Sequence, residues 1–278
     1  MQSASVAVVI PCFKVRKSIL KVIQEIDQFV TKIYVVDDNC PQFTGHYVES
    51  TCKDVRVTVL YNKENVGVGG SVIKGYEKAL EENMSIVVKI DGDGQMDASL
   101  IGRIIKPIID NRADYTKGNR FFDPKYLVGM PIVRLFGNSV LSFFSKISSG
   151  YWNIMDPTNG FTAINSKMLR LLPLYKLDKR YFFESDILFR LGTLSACVVD
   201  VPMCAKYADE ISSLNIVGVI FRFPILHLKG FCKRIFYRYF LRDFNIGSLS
   251  LIFGIFLLTG GINYGLLHWY FSIINDVP

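Results

Sequence analysis

Residues 86–95 read IVVKIDGDGQ, a short run rich in valine and isoleucine that leads into two aspartates and a glutamine at alternate positions. The apolar part has the composition of a strand that is buried on both faces, as strands of parallel sheets are. Directly after it, Asp91, Asp93 and Gln95 offer hard oxygen ligands of the kind that Mg²⁺ or Mn²⁺ prefers. The stretch therefore predicts a buried strand that ends at a divalent-metal site.

Two other interpretations of the acidic motif have to be considered. Its spacing begins like the calcium-binding loop of an EF-hand, but Met96 stands where that loop needs glycine and Gly102 where it needs glutamate. The EF-hand is therefore excluded. A polar turn whose carboxylates cap a helix near Ser99 stays open on the motif alone.

Further runs rich in valine and isoleucine alternate with helical patterns along the chain. Strands are expected at 6–10, 33–36, 55–60, 86–90, 113–116 and 198–201. Helices are expected at 15–29, 71–82 and 99–109. This alternation indicates an α/β fold with a mainly parallel sheet sandwiched by helices.

The first two predicted strands end in residues suited to nucleotide binding. Pro11 and Phe13 follow the first strand, and Asp37 and Asp38 follow the second. Paired carboxylates offer fixed hydrogen-bond acceptors for the amide edge of a nucleobase or for a ribose. Because ligands bind beyond the carboxyl ends of strands in such sheets, we expect these residues and Asp91 to line one cleft.

A glycine-rich stretch, NVGVGG at residues 65–70, follows the third predicted strand. Gly67 and its neighbours open a helix, where they are suited either to cradling a phosphate or to making a tight strand-to-helix turn. The dinucleotide fingerprint G-x-G-x-x-G is broken because Val72 stands at its third glycine position. A nicotinamide-dependent oxidoreductase is therefore a disfavoured alternative.

Charged residues in the middle of the chain are candidates for phosphate binding and catalysis. Arg120 follows a predicted strand and Arg134 lies in the next helical segment, so both guanidinium groups would face a diphosphate unless they lie on the surface. The loop at 156–161, DPTNGF, is either suited to sugar hydroxyls or an ordinary turn. Glu184 and Asp186 lie in an apolar, aromatic setting that would raise a carboxylate pKa, unless they serve only as acidic residues at a helix N-terminus.

The C-terminal part of the chain indicates a membrane. Residues 244–275 contain no Asp, Glu, Lys or Arg, and about 20 apolar residues suffice to cross a bilayer. Gly260 and Gly261 leave open whether this is one tilted helix or the start of a second. Just before it, aromatic residues alternate with Lys233, Arg234 and Arg238 at helical spacing, which is typical of a basic amphipathic helix on anionic lipid.

Charge and cysteine content limit the partners and the compartment. The 278-residue chain has a formal net charge of +7, but much of the excess lies in the basic stretch between Glu210 and Asp243, so a nucleic-acid partner is not expected. Six cysteines without a C-x-x-C spacing fit reduced thiols. The N-terminal apolar run has no basic flank and no cleavage site of a signal peptide. We therefore expect the catalytic domain on the cytoplasmic side of the cell membrane.

The order of these motifs resembles family 2 glycosyltransferases. The resemblance covers about residues 5–210 and is carried by Val9-Ile10-Pro11, Val36-Asp37-Asp38, the 65–69 stretch, Asp91-Gly92-Asp93 and Glu184-Ser185-Asp186. The stretch at 91–95 is especially similar to the subgroup that loads sugars onto polyprenyl phosphates, such as dolichyl-phosphate mannosyltransferases. This resemblance implies a GT-A fold and a nucleotide-diphosphate sugar donor.

The resemblance also implies roles for individual residues. It places Pro11, Phe13 and Asp37 or Asp38 around the base and ribose, with Gly67 also on the nucleotide-sugar side. It assigns Mg²⁺ or Mn²⁺ on the diphosphate to Asp91, Asp93 and Gln95, and it places Arg120 and Arg134 near the phosphates. It makes Glu184 the catalytic carboxylate with Asp186 as a second candidate, although a phosphate acceptor is already an anion and needs no base.

The sequence thus predicts a membrane-anchored inverting glycosyltransferase that acts on a lipid-linked acceptor at an anionic membrane surface. We expect a catalytic domain at 1–212, amphipathic interface helices at 213–244 and a transmembrane segment at 245–275. The acceptor is either a polyprenyl phosphate or a lipid-linked saccharide of a cell-surface polysaccharide. The family's usual polar pair is replaced by Lys14-Val15, and the 206–213 stretch departs from the lipid-phosphate subgroup. A catalytically silent membrane scaffold would tolerate loss of Asp91 or Asp93.

Overall fold

A seven-stranded sheet forms the centre of the N-terminal part of the protein in the computed structural model. The structure describes residues 4–123, 132–204 and 216–275, without the side chains of 132–134 and 216–220. The chain divides into two compact units, Met1–Phe231 and Cys232–Pro278. The first unit contains the sheet.

The strands are ordered β3-β2-β1-β4-β6-β5-β7 across the sheet. Their bounds are β1 Val6–Cys12, β2 Lys32–Asp37, β3 Val57–Tyr61, β4 Ile86–Lys89, β5 Tyr115–Asn119, β6 Thr162–Asn165 and β7 Val198–Pro202. All neighbours are parallel except that β6 runs antiparallel to both β4 and β5. Because of this reversal, the start of β6 lies beside the carboxyl end of β4, where Lys89 pairs with Thr162.

Helices cover both faces of the sheet. In chain order the helices up to residue 236 are α1 Ile19–Gln24, α2 Thr44–Thr51, α3 Val68–Glu81, α4 Ile101–Ile109, α5 Ile132–Ser149, α6 Ser166–Leu171, α7 Phe183–Leu194 and α8 Ile216–Phe236. Alternate residues of β1 face opposite cores: Val8 packs with α1 and α4, and Val9 packs with α3 and α7. Each fully buried valine or isoleucine contributes about 1.5–3 kcal/mol, so the two cores fix the sheet in place.

The predicted fold class is confirmed, with corrections to individual elements. The mainly parallel sheet between helices is present, but α1 is shorter than the 15–29 pattern and β3 begins at Val57. Three short elements had no counterpart in the sequence analysis, namely α2, β6 and α6. Strand β6 reads TAIN, and a run of four residues carries too little periodicity to be recognised. The expected boundary at 212 lies outside the described residues.

The second unit contains a short π-helical turn and a long apolar helix. The π-helical turn spans Tyr237–Arg242, and α9 spans Ile246–Asn275. The rings of Phe236, Phe240 and Phe244 follow one another with centroids 5.8 and 6.3 Å apart. Within the described residues α9 is the single helix long and apolar enough to cross a membrane. In its apolar 18-residue stretch, 6% of the residues are buried. It is continuous through Gly260 and Gly261, so this segment forms one helix.

Candidate active site

A buried lysine joins two carboxylates at the carboxyl end of β4. Lys89 is the last residue of β4, and its side chain is only 1% exposed. Its ammonium lies 2.9 Å from Oδ1 of Asp91 and 2.8 Å from Oε1 of Glu184. Glu184 stands in the first turn of α7, so this single cation connects the acidic motif after β4 to the helix across from it.

The surroundings of Lys89 keep it charged. Burial acts to lower the pKa of Lys89, but the negative charges of Asp91 and Glu184 outweigh burial and raise this pKa above its ordinary value. A charged group without partners in such a place would cost several kcal/mol. The edge of the sheet therefore holds a fixed positive charge beside the predicted metal ligands.

Gly160 closes one side of this cluster. A Cβ atom at this position would lie 2.3 Å from Nζ of Lys89 and 2.4 Å from Oδ2 of Asp91. The loop is held in this position by Asn159, whose Oδ1 accepts a hydrogen bond of 3.0 Å from the backbone N–H of Phe161. Only glycine permits the backbone to approach the charged pair so closely.

The same loop is fixed by a buried ion pair. Nε and Nη2 of Arg120 each donate a hydrogen bond of 2.6 Å to the carboxylate of Asp156, whose side chain is fully buried. Lys117 donates to the backbone carbonyls of Asp156 and Asn159, and burial lowers the pKa of Lys117 to about 8. Arg120, predicted to face a diphosphate, thus makes a bidentate ion pair within the protein.

Asp200 on β7 holds the start of this loop. Its Oδ2 accepts hydrogen bonds of 2.8 Å from the backbone N–H of Met155 and from Nδ2 of Asn119. Burial raises the pKa of Asp200 to about 6. The loop that contains Gly160 is therefore tied to both β5 and β7.

Asp37 and Asp38 are both buried and both engaged by backbone amides. The two oxygens of Asp37 accept hydrogen bonds of 2.7 and 2.6 Å from the N–H groups of Cys40 and Gly45. Asp38 accepts from the N–H groups of Val66 and Gly67 at 2.9 and 2.8 Å, and from Nδ2 of Asn62 at 2.8 Å. These carboxylates shape the loops at the carboxyl ends of β2 and β3.

The glycine-rich stretch brings α3 close to the segment before α7. A Cβ atom at Gly67 would lie 2.6 Å from the carbonyl oxygen of Lys179, and one at Gly69 would lie 2.3 Å from that of Asp178. Gly67 also has φ = 94°, which side chains rarely allow. Of the two functions weighed for these glycines, the structure displays the tight turn and close packing, and this packing sets the position of α7 with Glu184.

The structure separates the other predicted site residues. Pro11 is buried within β1, whereas the ring of Phe13 is 43% exposed just beyond it. Oδ2 of Asp186 accepts from the N–H of Asp178 and from Arg190, so it is not joined to the Lys89 cluster. Arg134 is in α5, but its side chain is outside the described residues.

The acidic motif fits a cation that is shared with a phosphorylated substrate. Asp93 accepts a hydrogen bond of 2.9 Å from the N–H of Gln95, and the side chain of Asp91 is 29% exposed. In the described part of the chain, no three His, Cys, Asp or Glu residues form a group that could hold a metal ion. Mg²⁺ is commonly held by one or two carboxylates together with substrate phosphates. The donor set suits that arrangement rather than a cage made by protein alone.

Lys89 was not singled out from the sequence, and the 156–161 loop with Asn159 and Gly160 was considered only for sugar hydroxyls or as an ordinary turn. A lysine inside the otherwise apolar run at 86–90 was a usable signal, because a buried charge needs a partner. Its partner Glu184 lies 95 residues further along the chain, so the pair becomes visible only in the fold.

Comparison with solved structures places this architecture among GT-A-type glycosyltransferase folds. Glucosyl-3-phosphoglycerate synthase from Mycobacterium tuberculosis, in complex with Mn²⁺, uridine-diphosphate and phosphoglyceric acid, superimposes with a TM-score of 0.61 at 16% identity. The match covers 82% of this chain and 78% of that chain. It is a likeness of fold.

The chain belongs to glycosyl transferase family 2, whose model matches residues 7–172. It is 31% identical over 172 residues to a UDP-N-acetylglucosamine–dolichyl-phosphate N-acetylglucosaminyltransferase of Methanococcus voltae, covering 62% of this chain and 68% of the relative. It is 30% identical to an undecaprenyl-phosphate mannosyltransferase of Micrococcus luteus, covering 62% and 70%. A polyprenol monophosphomannose synthase of Mycolicibacterium smegmatis is 25% identical, over 80% and 87% of the two chains. The predicted family is confirmed, and so is the predicted similarity to the lipid-phosphate subgroup.

Proposed function

We propose that this family 2 glycosyltransferase moves a sugar from a nucleotide-diphosphate sugar to a polyprenyl phosphate at a membrane surface, with Mg²⁺ or Mn²⁺ as cofactor. The observation that carries the proposal is the carboxyl end of β4, where the buried Lys89 joins Asp91 of the acidic motif to Glu184. The relatives whose names include dolichyl-phosphate and undecaprenyl-phosphate support this acceptor class.

The donor would bind along this edge of the sheet. Asp91 and Asp93, with Gln95 nearby, would hold the cation on the diphosphate, and the bound cation would stabilise the charge that develops on the leaving group. The exposed ring of Phe13 offers a surface for the nucleobase beyond β1. Arg134 stays a predicted phosphate-side residue.

The acceptor phosphate would attack the anomeric carbon directly. A new bond forms between a phosphate oxygen and this carbon, while the bond to the diphosphate breaks and the nucleoside diphosphate leaves with the electron pair, inverting the configuration. An acceptor that is already an anion needs no general base. This fits Glu184, whose Oε1 is already bound by the ammonium of Lys89.

The second unit would hold the enzyme at the bilayer. The segment at 231–244 combines exposed aromatic rings with basic residues, and α9 follows it directly. Juxtamembrane basic residues favour the cytoplasmic leaflet with its anionic lipids. We therefore propose that the catalytic unit acts on the cytoplasmic side, near the headgroup of its lipid acceptor.

Transfer of a labelled sugar tests this function. The full chain in liposomes would be given radiolabelled UDP- and GDP-sugars with Mn²⁺ or Mg²⁺, and one of three acceptors: a polyprenyl phosphate, the matching polyprenol or a lipid-linked saccharide. We expect label in the organic phase with the phosphate, none with the alcohol, and none when a chelator is present. Label on a lipid-linked saccharide alone would support the polysaccharide alternative, and transfer to polyprenol would contradict the anionic acceptor.

A further inference from the structure

The charge of Lys89 lies beside Asp91, a carboxylate that the proposed function assigns to a divalent cation. Its ammonium is 2.9 Å from Oδ1 of Asp91, and the same ammonium is 2.8 Å from Oε1 of Glu184. With a side chain 1% exposed, Lys89 is screened very little by solvent. Any cation on Asp91 therefore meets a like charge at close range.

The sheet and the loop that contains Gly160 lie close around the lysine. Across the sheet, Lys89 lies level with Val9 on one side and Thr162 on the other, so its stem is enclosed within the sheet face. The position that a Cβ of Gly160 would take is 2.3 Å from the ammonium, so the loop backbone lies directly against it. The ammonium thus lies between its two carboxylates, with the Gly160 backbone close to it.

We propose that Lys89 is a positioning residue that holds Asp91 and Glu184 on one ammonium and, by its charge, prevents a divalent cation from binding Asp91 before the donor diphosphate adds its own oxygen ligands. The second half of this inference rests on the proposed function. Repulsion between Lys89 and a bare cation is offset when the cation arrives with a diphosphate, whose negative charge compensates for the lysine. The cation and the donor then bind as a unit.

Electron paramagnetic resonance can measure the affinity of the full chain in detergent for Mn²⁺ in the absence of any donor. This affinity tests the inference independently of turnover. Lys89→Met should bind Mn²⁺ at least about tenfold more tightly than the wild type, because like charges a few ångströms apart repel strongly at a partly buried site. Glu184→Gln should act in the opposite direction, since it removes the anion that compensates Lys89. Lys117→Met is the matched control, a buried lysine that donates to backbone carbonyls.

The outcomes separate this inference from the proposed function. Unchanged or weaker Mn²⁺ binding by Lys89→Met would overturn the inference, and so would tighter binding by Glu184→Gln if the first variant fails to fold. An equal gain in Lys117→Met would also overturn it, because the effect would then not depend on contact with Asp91. Failure of the wild type to transfer sugar would contradict the proposed function and would leave the Mn²⁺ comparison valid.

Discussion

Gly160→Ala is the substitution that most sharply tests the geometry at the end of β4. The added methyl group would lie 2.3 Å from Nζ of Lys89 and 2.4 Å from Oδ2 of Asp91. Ordinary van der Waals contact begins at 3.4 Å, so the loop or the ion pair has to move by about 1 Å. The loop is tied down by Asp156 and by Asp200, so we expect the ion pair to shift.

The size of the effect follows from this displacement. A misplacement of about 1 Å at a reacting centre costs about 100-fold in rate, which corresponds to about 2.7 kcal/mol of transition-state stabilisation. Since Asp91 is the proposed cation ligand, we expect the loss to appear with both Mn²⁺ and Mg²⁺. The fold should persist, because the methyl group meets flexible side-chain ends and not backbone.

Initial rates of sugar transfer by Gly160→Ala and wild type, at saturating metal, would measure this loss. Gly137→Ala in α5 is the matched control, because a Cβ there meets nothing within 4 Å. Thermal unfolding of both variants would show that the protein remains folded. A Gly160→Ala enzyme within about threefold of the wild-type rate would refute the proposed arrangement of Asp91 at the reacting centre.

Three further perturbations have distinct expected results. Asp156→Asn should lower the free energy of unfolding by about 3 kcal/mol, because Arg120 stays buried without its anion; an unchanged denaturation midpoint by tryptophan fluorescence would contradict this. Burial raises the pKa of Asp200 to about 6, whereas an unfolded aspartate titrates near 3.8, so the folded state retains the proton longer and the free energy of unfolding falls by about 3 kcal/mol as pH rises from about 3 to 7. Asp200→Asn should remove that fall in a series of melting curves, and a wild-type slope in the variant would disprove the assignment. Replacing the basic residues Lys233, Arg234 and Arg238 by glutamine should weaken binding to anionic liposomes by about 1 kcal/mol per charge. If the variant sedimented with the liposomes as fully as the wild type, a role of these residues in lipid contact would be excluded.

The parallel part of the sheet was predictable because its strands are buried on both faces. Continuous apolar runs such as 6–10 and 33–36 mark such strands without reference to any partner. Strand β6 was not predictable, because its four residues follow an irregular loop and run antiparallel between β4 and β5. Sequence periodicity carries no information about that insertion.

The candidate site was predictable only as a set of positions. The position of Asp91 after a strand placed it at the carboxyl edge of the sheet, and the family resemblance assigned Glu184 to the same site, but their common partner Lys89 was interpreted as an ordinary strand residue. Arg120 appeared suited to a diphosphate, and its ion pair with Asp156 depends on a contact between residues 36 positions apart. Asp37 and Asp38 likewise accept hydrogen bonds from backbone N–H groups of nearby loops, such as those of Cys40 and Val66. These partners are known only once the chain is folded.

The long apolar helix α9 follows a simpler rule. Its length and its lack of charge are properties of composition, so the helix at 246–275 was recognisable without tertiary contacts. Whether it formed one helix or two depended on Gly260 and Gly261, which do not break it.

The central claim is a metal-dependent donor site at the end of β4. It is tested most directly by calorimetric titration of the nucleotide-diphosphate sugar that serves as donor into the purified full chain. With Mn²⁺ present, wild-type protein should bind the donor, and Asp93→Asn should bind it at least about 100-fold more weakly, because the cation loses an anionic ligand. The same weakening should follow from a chelator with the wild type. Equal donor affinity in wild type and Asp93→Asn, with or without chelator, would contradict a metal-dependent donor site at the end of β4.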